Sequence, residues 1–129
     1  MSGRRILLVE DNPLNLKLVR DVLTAYGYEV VEAHTGEDGV SLAGDCAPDL
    51  VLMDLQLPGI DGYEALRLIR QDARLGEVPV VALTAFAMRE DRERTARAGF
   101  DGYLSKPISV RELPTQVGDF LSNGRADVR

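Results

Sequence analysis

The chain has 129 residues, of which 45% are hydrophobic and 28% charged, and its formal net charge at pH 7 is -6. That length suits one globular domain with its own core, and the composition excludes a disordered or fibrous protein. The acidic balance disfavours direct nucleic-acid binding, which depends on clustered Lys and Arg side chains. We find no basic-then-apolar leader and no apolar stretch near the ~18 residues of a membrane span, so we expect a cytoplasmic protein without membrane contact.

The first part of the chain predicts a strand, a helix and a second strand. The strands are the apolar runs Ile6–Val9 and Tyr28–Val31. Between them, Asn12 suits a helix cap, Pro13 suits the first helical position and Gly27 supplies a stop signal. The buried face expected for this helix consists of apolar residues at helical spacing, namely Leu14, Leu18, Val19, Val22, Leu23 and Tyr26.

The middle of the chain predicts a helix, a strand and another helix. Thr35 and Asp38 mark the start of a short helix, and the run Leu50–Met53 predicts a buried strand. Asp61 followed by Glu64 has the arrangement of a capping box, in which the Glu64 side chain reaches back to the cap residue. The helix that begins there should bury its apolar residues, Ala65, Leu66 and Ile69.

Two further strands are predicted at Val78–Leu83 and Tyr103–Leu104, with a helix over about Arg89–Ala98 between them. This helix is rich in Arg, Glu and Asp, and the residues that it offers to a core are Met88, Thr95, Ala96 and Ala98. A helix with so narrow an apolar face gains little from packing, so we expect it to be loosely held.

The end of the chain predicts a fifth helix, signalled by Ser109 and Glu112. Pro114 falls within its first turns and removes a backbone donor, so the helix either starts late or bends. Residues Ser122–Arg129 are expected to form a polar tail. Strands alternate with helices along the whole chain, which is typical of an α/β fold in which helices cover both faces of a parallel sheet.

Polar side chains follow four of the predicted strands. They are Glu10 and Asp11 after the first strand, Asp54 after the third, Thr84 after the fourth and Lys106 after the fifth. Ligands of open α/β sheets bind at the carboxyl ends of the strands, so we expect these groups to meet at one rim. Each residue alone is a common turn or cap residue, and it is their joint placement that indicates a site.

The three carboxylates at this rim should repel one another. A pair of unit charges ~4 Å apart costs about 4 kcal/mol at an effective dielectric constant of ~20. A cation should relieve this repulsion, and Mg²⁺ suits the site because it prefers oxygen ligands and bridges carboxylates to phosphate. The rim therefore predicts a binding site for a divalent cation.

The chain resembles the response-regulator receiver family from Arg5 to about Leu121. The matching stretches are Val9-Glu10-Asp11-Asn12, Leu52-Met53-Asp54-Leu55 with Pro58-Gly59 and Asp61-Gly62, Leu83-Thr84-Ala85 and Ser105-Lys106-Pro107. The resemblance implies a doubly wound, flavodoxin-like (βα)5 fold with a five-stranded parallel sheet in the order 2-1-3-4-5. It also implies a single receiver domain over residues 1–129, with a core of about 5–121 and a polar tail over 122–129. The stretches look most like single-domain cell-cycle regulators and receivers of hybrid kinases.

The resemblance assigns roles to the residues of the rim. Asp54 is the expected nucleophile, which accepts a phosphoryl group from a phosphohistidine to give an acyl phosphate. The residues expected to bind the phosphoryl group are Asp54, Thr84, Ala85 and Lys106, with Thr84 and Lys106 also assisting the transfer. The expected Mg²⁺ ligands are Asp11, Asp54 and the backbone carbonyl of Gln56, with Glu10 acting through water.

The output of the switch is expected at Thr84 and Tyr103. By resemblance, Thr84 turns toward the phosphoryl group and the ring of Tyr103 rotates inward, although a static Tyr103 at the sheet edge is the alternative. The bond between Lys106 and Pro107 is expected to be cis. Gln56 and Phe86 are expected to tune the lifetime of the acyl phosphate, Phe86 by shielding it and Gln56 by orienting a water.

The expected partners are a sensor histidine kinase or a histidine phosphotransfer protein, and a downstream protein target. That target would bind the face formed by helix four, strand five and helix five, and the chain would be a monomer or a weak phosphorylation-dependent dimer. The chain would be a signalling switch that catalyses only its own phosphoryl transfer and autodephosphorylation. Met1 and the polar tail favour a complete protein, and a receiver domain excised from a hybrid histidine kinase is the alternative.

Two other classes fit the sequence less well. A haloacid-dehalogenase-like hydrolase would need a second Asp where Gln56 stands. A flavodoxin-like nucleotide binder would need a Gly-rich loop after the first strand, where Glu10 and Asp11 would repel phosphate.

Overall fold

The computed structural model describes residues 4–85 and 88–124. The strands are β1 (Arg5–Val9), β2 (Glu29–Ala33), β3 (Leu50–Asp54), β4 (Val80–Thr84) and β5 (Gly102–Ser105). The helices are α1 (Pro13–Ala25), α2 (Gly36–Cys46), α3 (Gly62–Arg70), α4 (Arg89–Ala98) and α5 (Leu113–Asn123), with a 3-10 turn at Ala73–Leu75. The strands form one parallel sheet in the order β2-β1-β3-β4-β5, which confirms the expected α/β fold.

The central strands are buried on both faces of the sheet. Every residue of β3 and of β4 is buried, as expected for parallel strands covered by helices on both sides. Alternate side chains enter two separate cores, one beneath α2 and α3 and the other beneath α1 and α5. The acceptor candidate Asp54 ends the most enclosed part of this sheet, so its backbone is rigidly placed.

The buried face of α1 differs from the predicted one. Leu16, Val19 and Leu23 are buried, whereas Leu14 is 78% exposed and Tyr26 is 62% exposed. Residues two positions apart in an α-helix point roughly 200° apart, so a helix that buries Leu16 turns Leu14 to solvent. Tyr26 lies at the C-cap, beyond the last helical turn.

The caps of α2 and α3 form as predicted in their first half. The Thr35 hydroxyl accepts a hydrogen bond from the Asp38 N–H at 3.1 Å, and the Asp61 carboxylate accepts one from the Glu64 N–H at 3.0 Å. The predicted second bond of the capping box, from the Asp61 N–H back to the Glu64 carboxylate, is wrong. The Glu64 carboxylate instead accepts a hydrogen bond from Arg67 at 2.9 Å. Ala65, Leu66 and Ile69 are buried as expected.

The two C-terminal helices differ in how they meet the sheet. α4 has the predicted bounds, but of its expected core residues only Thr95 is buried, since Met88 is 68% exposed and Ala96 and Ala98 are exposed. α5 starts at Leu113 with Pro114 in its first turn, so the late start is confirmed. It continues through Ser122 and Asn123, the first two residues of the expected tail, and residues 125–129 lie outside the described part.

Within the described ranges, the helices fall short of the length and apolar character that a bilayer crossing requires.

Candidate functional site

The polar residues predicted to share a rim do meet at the carboxyl edge of the sheet. Glu10, Asp11 and Asp54 each present a carboxylate oxygen, and these oxygens lie within 4.8 Å of one another. The parallel register brings them together, because Val9, the last residue of β1, pairs with Met53, and β3 ends one residue later at Asp54. Three negative charges in so small a volume make a strong field for a cation.

The carboxylate of Asp54 is held from two sides. Asp54 is only 3% exposed, and its Oδ1 accepts a hydrogen bond from the Gln56 N–H at 3.0 Å. Its Oδ2 accepts one from the Lys106 ammonium at 2.9 Å. A carboxylate oxygen can accept more than one such bond, so both oxygens keep lone pairs for a metal or a phosphorus atom.

Glu10 carries a carboxylate whose charge is poorly compensated. It is 1% exposed, and the Lys106 Nζ lies 3.0 Å from its Oε1 as an ion pair, while this buried oxygen accepts no hydrogen bond. Its Oε2 accepts a hydrogen bond from the Asn12 N–H at 3.2 Å. Burial, followed by the close approach and the negative charge of the Asp54 carboxylate, raises the pKa of Glu10 to about 7.

The ammonium of Lys106 is fixed by the end of β5. Its backbone N–H donates to the Thr84 carbonyl at 2.8 Å, and its peptide bond to Pro107 is cis. Burial lowers the pKa of Lys106, but the hydrogen bond to Asp54 and the close negative charges of Asp54 and Glu10 outweigh burial and raise it. Lys106 therefore stays charged and links the two buried carboxylates.

These residues meet the requirements of a Mg²⁺ site. All of the candidate side-chain ligands are carboxylates, which are hard oxygen donors of the kind that Mg²⁺ prefers. The buried Glu10 Oε1 without a hydrogen bond and the raised pKa of Glu10 both indicate negative charge that one lysine does not neutralise. A divalent cation beside Asp11 and Asp54 would supply the missing positive charge.

Thr84 ends β4 beside a small cavity. It is 3% exposed, and its neighbour Ala85 is exposed. The cavity has a volume of about 180 Å³ and is lined by Leu55, Gln56, Asp61, Tyr63, Thr84, Asp91 and Arg94. The Arg94 guanidinium lies 4.4 Å from the centre of the Tyr63 ring, which places a cation at this cavity. The sequence carried no signal for this contact, which joins α3 to α4.

Tyr103 lies half-buried on β5 and is linked to α4. Its hydroxyl accepts a hydrogen bond from Arg92 at 3.0 Å, and the Arg92 guanidinium lies 5.7 Å from the ring centre. The inward rotation of Tyr103 stays a prediction. Phe86, the expected shield of the acyl phosphate, lies outside the described residues.

The sheet order, the acidic cluster and the half-buried lysine define a receiver domain, the class of signalling switch that two-component systems use. The family model for the response regulator receiver domain matches residues 6–118, and the chain belongs to this family. Receiver domains interact with histidine kinases or histidine phosphotransfer proteins and with downstream targets.

Relatives of both expected kinds are found. The chain is 42% identical over 120 residues to the polar-differentiation response regulator DivK of Brucella ovis, covering 93% of this chain and 98% of the relative. It is 40% identical to the receiver domain of a Pseudomonas aeruginosa sensor histidine kinase, a crystal structure with magnesium coordinated in its active site cleft. That match has a TM-score of 0.86 and covers 94% of this chain and 99% of the other. The chemotaxis response regulator CheY4 of Vibrio cholerae, at 24% identity, matches in fold with a TM-score of 0.87 over 92% of this chain and 98% of that one.

Proposed function

We propose that the chain is a phosphorylation-operated switch in which Asp54 accepts a phosphoryl group from a phosphohistidine. The observation that carries this proposal is the position of Lys106, whose ammonium lies 2.9 Å from Asp54 and 3.0 Å from Glu10 inside the acidic cluster. An ammonium held there can contact the oxygens of an incoming phosphoryl group without moving away from the acceptor. A positioned cation at the place where negative charge develops is the main requirement of phosphoryl transfer.

In the transfer, a carboxylate oxygen of Asp54 forms a bond to phosphorus while the bond from phosphorus to the donor imidazole nitrogen breaks. The Gln56 N–H and the Lys106 ammonium orient the carboxylate for in-line attack. The Thr84 hydroxyl, the region of Ala85 and Lys106 would then hold the phosphoryl oxygens. The departing imidazole leaves with the electron pair of the broken bond.

The residues that would hold Mg²⁺ are Asp11, Asp54 and the Gln56 carbonyl, with Glu10 acting through water. When bound, the ion would neutralise the carboxylates and offset charge on the phosphoryl oxygens. The crystal structure of the Pseudomonas aeruginosa relative has magnesium coordinated in its active site cleft, which supports a magnesium ion at this site.

The proposed output is a change at Thr84, Tyr103 and α4 that alters partner binding on the face of α4, β5 and α5. α4 is suited to move because Thr95 is its one buried residue. The proposed upstream partner is a sensor histidine kinase or a histidine phosphotransfer protein, and the proposed downstream partner is a protein target in the cytoplasm. We propose that residues 1–129 act as one receiver domain that also catalyses its own dephosphorylation.

A second candidate is a receiver domain that belongs to a hybrid histidine kinase. The 40% identity to the receiver of a sensor histidine kinase favours it. Phosphotransfer from isolated kinases distinguishes a stand-alone switch from a receiver of a hybrid kinase. A receiver of a hybrid kinase should accept the phosphoryl group fastest from the kinase that contains it.

Labelling by acetyl phosphate tests the acceptor directly. With MgCl₂, we expect the wild-type chain to gain one phosphoryl group, and Asp54→Asn to gain none. Asp38→Asn is the matched control, since it removes an exposed carboxylate of α2 and should label like wild type. Equal labelling of Asp54→Asn and wild type would contradict the assignment of the nucleophile.

A further inference from the structure

The loop that joins β3 to α3 carries Gln56 and is closed tightly at its C-terminal end. The Gly62 N–H donates to the Leu55 carbonyl at 3.1 Å. A Cβ added at Gly62 would lie 2.5 Å from the Asp54 carbonyl oxygen, so α3 begins in direct contact with the end of β3. The loop therefore has no room to relax on the α3 side.

The first turn of α2 holds the same loop from the other side. A Cβ added at Gly36 would lie 2.7 Å from the Ile60 carbonyl oxygen. The Glu37 carboxylate accepts a hydrogen bond from the Ile60 N–H at 3.3 Å, across 23 residues of sequence. A Cβ added at Gly59, whose φ is +77°, would lie 2.6 Å from the same Glu37 oxygen. The carboxylate thus lies directly against the peptide between Gly59 and Ile60.

We propose that Glu37 is a positioning residue for the metal site. The inference rests on the proposed function, because it concerns the loop whose Gln56 carbonyl is the proposed ligand. Gln56 is anchored at its N–H by Asp54, and Glu37 anchors the loop four residues later at Ile60. With both points fixed, the backbone between them keeps one orientation, and the Gln56 carbonyl does not have to be ordered when the metal binds.

Glu37 acts in this proposal as a hydrogen-bond acceptor and not as a distant negative charge. Glu37→Ala removes the acceptor, whereas Glu37→Gln removes the charge and keeps a carbonyl oxygen that can accept from Ile60. Asp38→Asn removes one charge from the neighbouring residue of the same helical turn. The three variants therefore separate loop positioning from electrostatic attraction.

The test is a titration of the full chain with MgCl₂. Calorimetry and the chemical shift of the Gln56 amide both measure the binding. Partners that orient metal ligands typically contribute ~10–100-fold in affinity, and for this more distant contact we expect Glu37→Ala to weaken Mg²⁺ binding about fivefold. Glu37→Gln should stay within about twofold of wild type, and Asp38→Asn should equal wild type. Without metal, the Ile60 amide should exchange with solvent faster in Glu37→Ala.

Each other outcome overturns the inference. Equal weakening by Glu37→Gln, Glu37→Ala and Asp38→Asn would assign the effect to charge. A lower melting temperature in Glu37→Ala with unchanged Mg²⁺ affinity would assign Glu37 a purely structural role. If wild type binds Mg²⁺ and Glu37→Ala binds it equally, only the inference fails, whereas a wild type that binds no Mg²⁺ would overturn the proposed metal site as well.

Discussion

Helices α3 and α4 border the same cavity beside Thr84, yet they are attached to the protein in opposite ways. α3 buries Gly62, Ala65, Leu66 and Ile69 against the sheet, while α4 buries Thr95 alone. Buried apolar area sets how strongly a helix is held, so α3 is bound firmly and α4 weakly. The proposed acceptor residue and its loop thus stand on a rigid side, and the proposed output helix lies on a side that can shift.

Core truncation should expose this difference with the largest effect. We expect Ile69→Ala in α3 to lower the free energy of unfolding by about 2–5 kcal/mol, because it leaves a cavity in a fully buried position. Thr95→Ala in α4 should lower it by about 1 kcal/mol, through loss of the hydroxyl that donates to the Arg92 carbonyl. Urea unfolding measures the free energy of unfolding of both variants. Equal losses would contradict the difference in attachment between α3 and α4.

The rigid side should also be sensitive to pH in the absence of metal. Burial and the neighbouring Asp54 raise the pKa of Glu10 to about 7 in the folded chain, whereas an unfolded glutamate titrates near ~4.3. The folded state binds this proton more tightly, so the free energy of unfolding should fall as pH rises through this window, by at most about 3 kcal/mol.

Glu10→Gln provides the control for the pH effect, because it removes the titrating group and keeps the size of the side chain. Urea unfolding in EDTA at about pH 5 and about pH 8 compares the two proteins. An equal fall in stability in wild type and in Glu10→Gln would assign the pH effect to other groups.

The smallest effect should come from the arginine that joins the two helices. Arg94→Met removes the cation over the Tyr63 ring and should cost about 0.5–1 kcal/mol, with faster amide exchange confined to α4. Arg94→Lys keeps a cation and should lose less. Hydrogen exchange measures this, and faster exchange throughout α3 in Arg94→Met would show that the helices are not held independently.

Local patterns predicted the elements and their starts, because caps and strand runs depend on near neighbours in sequence. Asn12 and Asp61 were identified as caps in this way, and the run Leu50–Met53 as a buried strand. The sequence near α1 could not show whether Leu14 or Leu16 is buried, because both lie on apolar stripes of the helix. The position of the sheet beneath α1 decides which of the two is buried.

Contacts between distant segments could not be predicted from the sequence. The site residues follow strand ends and so were predictable as a group, whereas the strand order came from the family resemblance. The bond from Ile60 to Glu37 and the placement of Arg94 on Tyr63 depend on how helices pack on the sheet. Glu64 pairs with Arg67 because that partner lies on the same helix face, which competes with the capping box.

The claim that joins the site to the output is that modification at Asp54 moves α4 and leaves α3 in place. Amide hydrogen exchange of the chain with MgCl₂, before and after addition of beryllofluoride as a mimic of the phosphoryl group, measures it directly. We predict altered protection in α4 and around Tyr103, with unchanged protection in α3. Equal changes in both helices, or none in either, would contradict the account.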